Sequence, residues 1–269
     1  YINRFLSSVY TPGSVFKLVT ASAAIENIDD IYDREFECTG SFDVNGDEIT
    51  CTREHGTLKF EDALAVSCNC AFAQMALELG GETMEKYTKQ LGLTDAVDVN
   101  GISSAQGSFE KGEEGSIDLA WSGAGQYNDL INPCSMLRFM GAIANGGKGV
   151  NPRLIEKTAY TTGIPAGLNI GKSSKKLMSS DTADALDKMM SYNVYYTYGE
   201  DNFPGLELRA KSGTAEVGID NDPHAWFVGY IKNEDHPLAF VVIVENGGWG
   251  SSVAGSVANT VLQAAVSSD

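Results

Sequence analysis

Apolar positions in the first two hundred residues recur mostly every three to four residues, which is the spacing of amphipathic helices. The run 15–25 follows Pro12 and Gly13, and proline is favoured in the first turn of a helix. The same spacing predicts further helices at 58–66, 67–81, 81–92, 132–147 and 179–193. We expect Ser180 or Asp181 to cap the last of these, since both residue types cap helix N-termini well.

After residue 200 the pattern changes to runs of β-branched and aromatic residues separated by turns. These runs predict strands at 206–214, 224–231 and 238–245. A helix of small residues closes the chain, and an earlier hairpin is expected around Asn45-Gly46. Strands that follow helices without regular alternation indicate an α+β protein. We expect a single domain over 1–269, mainly helical at roughly 14–200, with the sheet strands and the C-terminal helix at 201–269.

The formal net charge is −17 and the pI is about 4.5, so the surface repels phosphate backbones and argues against nucleic-acid binding. No uninterrupted apolar run is long enough to predict a membrane-spanning helix. The chain begins with Tyr1 rather than methionine, so we expect it to be part of a longer protein. A signal or an anchor would then lie in the preceding part.

Ser14 and Lys17 are three residues apart and therefore share a helix face. A serine hydroxyl needs a base to become a good nucleophile, and a lysine held neutral can be that base. The Ser-x-x-Lys pair alone is unspecific, and a capping serine beside a surface lysine is then the better interpretation. Two further segments change this: Ser67-Cys68-Asn69 opens a predicted helix, and Lys211-Ser212-Gly213-Thr214 ends a predicted strand.

These three segments occur in the order and rough spacing found in the penicillin-recognising serine transferases. TPGS before Lys17, GAGQYNDLINP at 123–133 and HAWFVGY at 224–230 add to the likeness. The chain thus resembles the transpeptidase domain of a penicillin-binding protein from about residue 9 to residue 262. The resemblance implies the penicillin-binding-protein/β-lactamase-like fold, an antiparallel sheet flanked by helices with an all-α subdomain.

The same resemblance implies the roles of the first two segments. Ser14 would attack the carbonyl of a D-Ala-D-Ala peptide bond, and Lys17 would take its proton. Ser67 would pass a proton to the leaving D-alanine nitrogen, helped by Lys211, whose charge would also keep Lys17 neutral. Asn69 would orient Lys17 and hold an amide oxygen of the substrate.

The third segment would bind the substrate. The hydroxyls of Ser212 and Thr214 would hold its terminal carboxylate, and Gly213 would leave room for the peptide along the strand edge. The oxyanion would lie between the backbone N–H groups of Ser14 and Thr214. The implied activity is a D,D-transpeptidase without a catalytic cofactor, which cross-links peptidoglycan stem peptides through an acyl-enzyme and is acylated by β-lactams.

Three related functions are alternatives: a serine β-lactamase, a β-lactam sensor domain and a D,D-carboxypeptidase. Class A β-lactamases carry E-x-x-L-N, but here Pro165 precedes Leu168-Asn169 in place of the glutamate. Class D enzymes and related sensors carry S-x-V where this chain has Ser67-Cys68-Asn69. A scaffold for cell-wall partners is a non-enzymatic alternative. A second S-x-N, Ser191-Tyr192-Asn193, is interpreted as a helix end.

The resemblance also implies what lies beyond this chain and where it acts. The family places strands of the central sheet before the Ser-x-x-Lys helix, and these strands are expected outside this sequence. The parent protein would lie on the extracytoplasmic side of the bacterial membrane, held by an N-terminal anchor. Its partners would be stem peptides ending in D-Ala-D-Ala, β-lactams and cell-wall synthesis proteins.

Cys38, Cys51, His55 and Cys68 form a group of candidate metal ligands. Around the Asn45-Gly46 turn we expect residue 38 to pair with residue 53, which sets Cys38 and Cys51 diagonally on one face. The resemblance implies a structural zinc here, as in some members of the family, with a histidine and a cysteine spaced like His55 and Cys68. A structural zinc, a Cys38–Cys51 disulfide and buried free thiols remain open. Cys70 and Cys134 are interpreted as core residues.

Trp249 lies between glycines near the C-terminal helix. We interpret it as the cap of a loop, with a place at the mouth of a cleft as the alternative.

Overall fold

The computed structural model describes residues 2–155, 157–168, 173–218 and 221–267. Within these ranges the α-helices are α1 (Arg4–Ser7), α2 (Lys17–Asn27), α3 (Phe60–Ala65), α4 (Asn69–Gln90), α5 (Ile117–Gly123), α6 (Pro133–Ala144), α7 (Ser180–Asn193) and α8 (Gly255–Val266). The strands are β1 (Glu35–Cys38), β2 (Ser41–Val44), β3 (Asp47–Thr50), β4 (Gly56–Lys59), β5 (Asp98–Val99), β6 (Ile102–Ser103), β7 (Lys148–Val150), β8 (Lys157–Ala159), β9 (Pro165–Leu168), β10 (Ser173–Lys176), β11 (Leu208–Ala215), β12 (His224–Ile231) and β13 (Ala239–Val244). Short 3-10 or π-helical turns cover Gly13–Phe16, Val194–Tyr198, Glu200–Asn202 and Gly250–Ala254.

An antiparallel sheet in the order β11-β12-β13 is formed by the three strands predicted after residue 200. Its middle strand is buried on both faces. Trp226 and Tyr230 belong to the large core that contains α2, α4 and α6, whereas Phe227 packs in a smaller core under α8. Because successive strand residues face opposite sides, the run AWFVGYI has apolar residues throughout instead of an apolar–polar alternation. The sheet with helices on both faces confirms the predicted α+β fold.

Helix α2 lies inside the large core, and all of its residues from Lys17 to Ala24 are buried. It packs against α4, which in turn packs against α5, and α7 lies across α2 and β11. Alanines and serines fill much of α2, so neighbouring helices approach it closely. This packing by itself shields the Lys17 side chain from water.

Several boundaries differ from the predictions for local reasons. Helix α7 is capped by Ser179, whose side chain accepts from the Thr182 N–H, so the predicted cap at Ser180 or Asp181 was wrong by a residue or two. The two helices predicted at 67–81 and 81–92 meet at Gly80, where φ is 76° and ψ is 158°. Only glycine adopts this backbone conformation without steric cost, and it separates the two parts.

The predicted pairing around Cys38 was also wrong. Residues 41–44 pair with 47–50 in a hairpin at Asn45-Gly46, as expected. The preceding strand β1 instead pairs with β4, so that Cys38 is opposite Gly56 rather than residue 53. The helix predicted from residue 58 therefore starts later, at Phe60, because residues 56–59 form the strand β4.

None of the helices in the described ranges is both long and apolar enough to cross a membrane. Asn169, part of the segment compared with class A β-lactamases, lies outside the described residues.

Candidate active site

Ser14 lies in the tight turn that leads into α2. Gly13 has φ +56°, and a Cβ atom there would lie 2.7 Å from the carbonyl oxygen of Thr214 on β11. Glycine is therefore required both by the backbone conformation and by the close approach of the strand. The turn holds Ser14, which is half-buried, one helical turn before the fully buried Lys17.

Lys17 is surrounded by oxygen atoms from the first two motifs. Its Nζ lies 3.0 Å from Ser14 Oγ and 2.7 Å from Asn69 Oδ1. It also lies 2.8 Å from the carbonyl oxygen of Ser67 and 3.2 Å from Ser67 Oγ. A neutral lysine has two N–H donors and one lone pair. Donation to the two close acceptors, Asn69 Oδ1 and Ser67 O, leaves the lone pair for a serine hydroxyl.

Ser67 joins the two lysines. Its Oγ lies 3.0 Å from Lys211 Nζ as well as near Lys17 Nζ. Ser67 has φ 58°, a left-handed conformation that is uncommon for a residue other than glycine. Lys211 Nζ makes a second bond of 2.9 Å to the carbonyl oxygen of Ser212. At this strained backbone position, the Ser67 hydroxyl contacts both lysines and its carbonyl oxygen contacts Lys17.

Burial lowers the pKa of Lys17 to about 8, and the nearby sulfurs of Cys51, Cys68 and Cys70 oppose this by favouring the charged form. Burial also lowers the pKa of Lys211 well below its ordinary value, with a further contribution from the charge of Lys17. Desolvation is thus the main cause that favours the neutral form of each lysine, and repulsion between the two charges adds to it.

The third motif lies along β11 beside the turn that carries Ser14. A Cβ atom on Gly213 would lie 2.8 Å from the carbonyl oxygen of Pro12 and 3.0 Å from Val15 Cγ1. The absence of a side chain at Gly213 therefore lets the strand approach the turn, which is a different reason from the room for substrate that we expected. Thr214 Oγ1 accepts the N–H of Gly250 at 3.2 Å.

Tyr198 is a further residue of the site that the sequence did not suggest. Its hydroxyl donates to Ser212 Oγ at 3.0 Å and accepts the Ser212 N–H at 2.7 Å. It lies in the π-helical turn after α7 and is buried. Its contact with Ser212 depends on how α7 packs against β11, and no local motif around Tyr198 indicates it.

The residues of all three motifs border a cleft of about 730 Å³. Ser14, Ser67 and Asn69 line one part, and Ser212 and Thr214 line another. Trp249 also lines this cleft with 64% of its surface exposed, so the alternative interpretation of this residue was the correct one. The structure therefore brings together the three motifs that the sequence places far apart.

Behind Asn69 lies a cluster of four cysteines. The sulfur atoms of Cys38, Cys51, Cys68 and Cys70 all lie within 4.8 Å of one another. His55 is outside this group, although its Nδ1 lies 3.4 Å from Cys38 Sγ. The predicted ligand set therefore needs correction: Cys70 takes the place of His55.

All five cysteines are within the described residues, and none forms a disulfide. The Cys38–Cys51 disulfide considered for the sequence is thus not formed in this structure. Cys134 is buried away from the cluster, near Leu6, Val97 and Val99, as expected for a core residue.

Comparison with known proteins agrees with the fold. The model of the penicillin-binding protein transpeptidase domain matches residues 1–263. The peptidoglycan D,D-transpeptidase PbpA of Mycobacterium tuberculosis is 24% identical over 279 residues, which cover 98% of this chain and 56% of that protein. This chain thus spans little more than half the length of that relative.

Solved structures show the same fold. Penicillin-binding protein A from M. tuberculosis, solved as a ceftriaxone acyl-enzyme complex, superposes with a TM-score of 0.89 at 23% identity, over 98% of this chain and 62% of that one. The D,D-transpeptidase domain of a peptidoglycan glycosyltransferase from Eggerthella lenta gives a TM-score of 0.89 at 25% identity, over 99% and 67% of the two chains. The chain belongs to the family of penicillin-binding protein transpeptidase domains.

Proposed function

We propose that this chain is the catalytic domain of a peptidoglycan D,D-transpeptidase that works through an acyl-enzyme on Ser14. The observation that carries the proposal is the hydrogen-bonded group formed by Ser14, Lys17 and Ser67, in which Lys17 Nζ is 3.0 Å from Ser14 Oγ. A buried lysine with a pKa of about 8 is a suitable general base near neutral pH. The named activity of the M. tuberculosis relative supports the same reaction.

In the proposed acylation, Ser14 Oγ forms a bond to the carbonyl carbon of the D-Ala-D-Ala peptide bond, and its proton moves to Lys17. The tetrahedral intermediate then collapses and the C–N bond breaks. The leaving nitrogen takes the proton of the Ser67 hydroxyl. Lys17 restores that proton with the one it took from Ser14, because its Nζ lies close to Ser67 Oγ, and Lys211 Nζ bonds the same hydroxyl. The scheme needs no cofactor, and a zinc ion in this protein would have a structural role only.

We propose that β11 binds the substrate in the cleft. The hydroxyls of Ser212 and Thr214 would hold the terminal carboxylate, with Ser212 oriented by Tyr198. The backbone N–H groups of Ser14 and Thr214 would stabilise the oxyanion. Asn69 would hold a substrate amide through its side chain, whose Nδ2 also donates to Thr50 O at 2.8 Å.

The second half of the reaction would transfer the acyl group from Ser14 to an amine of a neighbouring stem peptide. A carboxypeptidase would transfer it to water, and a β-lactamase would hydrolyse a bound β-lactam quickly. We favour the transpeptidase over a β-lactamase because Pro165 stands in place of the deacylating glutamate of class A enzymes, and S-x-N in place of the S-x-V of class D enzymes. The named activity of the M. tuberculosis relative favours transfer over hydrolysis. Its substrate implies an extracytoplasmic location, where it would work with other cell-wall synthesis proteins.

Intact-protein mass spectrometry after incubation with benzylpenicillin tests the acyl-enzyme. We expect one adduct per chain that persists for an hour, that is absent from Ser14→Ala, and that forms normally on the exposed control Ser256→Ala. Penicillin consumed without an adduct would indicate a β-lactamase. Unmodified protein with intact penicillin would contradict an acyl-enzyme on Ser14.

A second assay separates transfer from hydrolysis. The protein is incubated with a stem peptide that ends in D-Ala-D-Ala, together with an amine acceptor. A cross-linked product that increases with acceptor concentration is expected. Release of D-alanine that gives only the hydrolysed peptide at every acceptor concentration would indicate a carboxypeptidase.

A further inference from the structure

The four cysteines behind the second motif have the geometry of a metal site. Cys51 Sγ lies 3.7 Å from Cys68 Sγ and 3.4 Å from Cys70 Sγ, and all four sulfurs lie within 4.8 Å of one another. A tetrahedral zinc ion with Zn–S bonds of about 2.3 Å separates its sulfur ligands by about 3.8 Å. A disulfide needs about 2.05 Å. The cluster is therefore close to the dimensions of a four-thiolate site and far from those of a disulfide.

We propose that Cys38, Cys51, Cys68 and Cys70 bind one structural zinc ion through four thiolates. Three of the cysteines are buried and Cys51 is half-buried at the cleft, so the set is closed to water on most sides. Closed four-cysteine sets are typical of structural zinc rather than catalytic zinc, which keeps a coordination position open. Catalysis and metal binding are therefore separate roles. Ser14 carries the acyl group, and the metal stabilises the local structure.

Backbone N–H groups around the sulfurs support thiolates at these positions. Cys51 Sγ accepts from the N–H groups of Asn69 at 3.1 Å and Cys70 at 3.4 Å. Cys68 Sγ accepts from the Ala71 N–H at 3.4 Å. These donors belong to the first turn of α4, where the unpaired N–H groups and the helix dipole favour negative charge. His55 would donate to Cys38 Sγ as an outer partner that orients the ligand.

The site would fix the position of the second motif. Cys68 lies between Ser67 and Asn69 in the sequence, while Cys51 directly follows β3. One ion would join the end of β1, the end of β3 and the start of α4. Asn69 is tied to the same strand end through its Nδ2 bond to Thr50 O. Metal binding would therefore hold Asn69 and Ser67 beside Lys17. The effect of the metal on acylation rests on the proposed function, whereas the metal site itself does not.

The first test measures metal and thiols in the wild-type chain purified without chelators. Elemental analysis is expected to give one zinc per chain, and mercurial reagents that bind thiolates are expected to release it. Alkylation after denaturation without reductant should then modify all five cysteines. Replacement by Co²⁺ should give the thiolate charge-transfer and d–d bands of tetrahedral four-sulfur coordination.

Variants identify the ligands. Cys70→Ser is expected to weaken Zn²⁺ binding by about 100-fold or more, while Cys134→Ser, which removes a buried cysteine outside the cluster, leaves it unchanged. His55→Ala should keep the ion with at most about a tenfold loss of affinity. Retention of zinc in Cys70→Ser together with its loss in His55→Ala would overturn the four-thiolate set.

Two outcomes on the wild-type chain would overturn the site itself, even if a variant fails to fold. One is a disulfide, seen as a mass lower by two hydrogens and fewer alkylated cysteines. The other is reduced, folded protein that takes up neither Zn²⁺ nor Co²⁺. Zinc that binds and is removed without any change in the penicillin acylation rate would contradict the link to the second motif only.

Discussion

The first turn of α4 separates two clusters of reactive side chains that differ in how they are assembled. On one side, Lys17 and Lys211 approach Ser67 from segments far apart in the chain. On the other, four cysteines between residues 38 and 70 meet through a hairpin and the start of one helix. The first cluster is held by helix and sheet packing over the whole domain. The second comes from elements close together in the chain, which still have to pack against one another.

Neighbouring residues of one segment therefore serve separate purposes. Ser67 and Asn69 direct their side chains towards Lys17, and Cys68 between them directs its sulfur towards Cys51. Burial favours the neutral form of Lys17, whereas the cysteines are placed among N–H donors that favour negative charge. One short segment therefore contributes to a site with a lysine base and to a site suited to a cation.

Lys17→Met should have the largest effect on acylation, because it removes the proposed base and keeps the apolar stem. The penicillin acylation rate is expected to fall by about 10² to 10⁴-fold, the usual contribution of a general base. The exposed Lys188→Met on α7 serves as the control and should acylate normally. A fall of less than about fivefold in Lys17→Met, in protein with an unchanged melting temperature, would remove Lys17 from the role of base.

The pH profile of acylation should follow Lys17. Its pKa is about 8, lowered by burial, and the neutral form is the active one. The rate should therefore rise with pH, by about tenfold for each unit well below the pKa, and level off above about pH 8. Stopped-flow measurement of acylation from about pH 6 to pH 9 checks this. A profile that falls as pH rises would contradict a neutral lysine base.

Gly213→Ala should have the next largest effect, since the new methyl group would meet the backbone oxygen of Pro12. Strand β11 would have to move away from the turn that carries Ser14. We expect a loss of about 1–3 kcal/mol in the free energy of unfolding and slower acylation. Gly141→Ala in α6 is the matched control, because nothing lies within 4 Å of its added Cβ. Equal unfolding midpoints for the two variants would contradict the close approach.

Tyr198→Phe should have a smaller effect. It removes the hydroxyl that bonds both Ser212 Oγ and the Ser212 N–H, and it leaves that N–H without its partner. We expect a cost of about 1–3 kcal/mol in unfolding free energy, and a several-fold rise in KM for a peptide with a free carboxylate. The same peptide amidated at its C-terminus should show no such change. The exposed Tyr196→Phe is the control.

Asp129→Asn should leave acylation unchanged and alter only the pH dependence of stability. Asp129 is fully buried, and neither carboxyl oxygen has a hydrogen-bond partner among the described residues. Burial raises the pKa of this carboxyl well above its ordinary value. The stability that Asp129 contributes in its protonated form is present below its unfolded pKa of about 3.9 and is lost as pH rises through the folded pKa.

The melting temperature of the wild type should therefore fall over this range relative to Asp129→Asn, which does not titrate. Parallel curves for the two proteins would show that Asp129 is solvated or paired.

Much of the fold and of the candidate site follows from local patterns. The three C-terminal strands and the helices around Ser14, Asn69 and Pro133 are predicted by apolar spacing, turn residues and capping residues. Errors occurred where a distant partner decided the structure. Residues 56–59 became a strand because β1 lies beside them, and Cys38 is opposite Gly56 for the same reason. Cys70 was assigned to the core because helical spacing gives its burial but not its neighbours.

By itself, the sequence determined the α+β order of elements, the three motifs and the residue types that acyl transfer requires. Only the tertiary structure decided that Lys17 and Lys211 both approach Ser67 Oγ, that Tyr198 holds Ser212, and that Cys70 rather than His55 completes the sulfur cluster. The physical reason is the range of the interactions. Helical spacing and turn preferences act over a few residues, whereas desolvation of a lysine and the meeting of four sulfurs depend on which elements pack together.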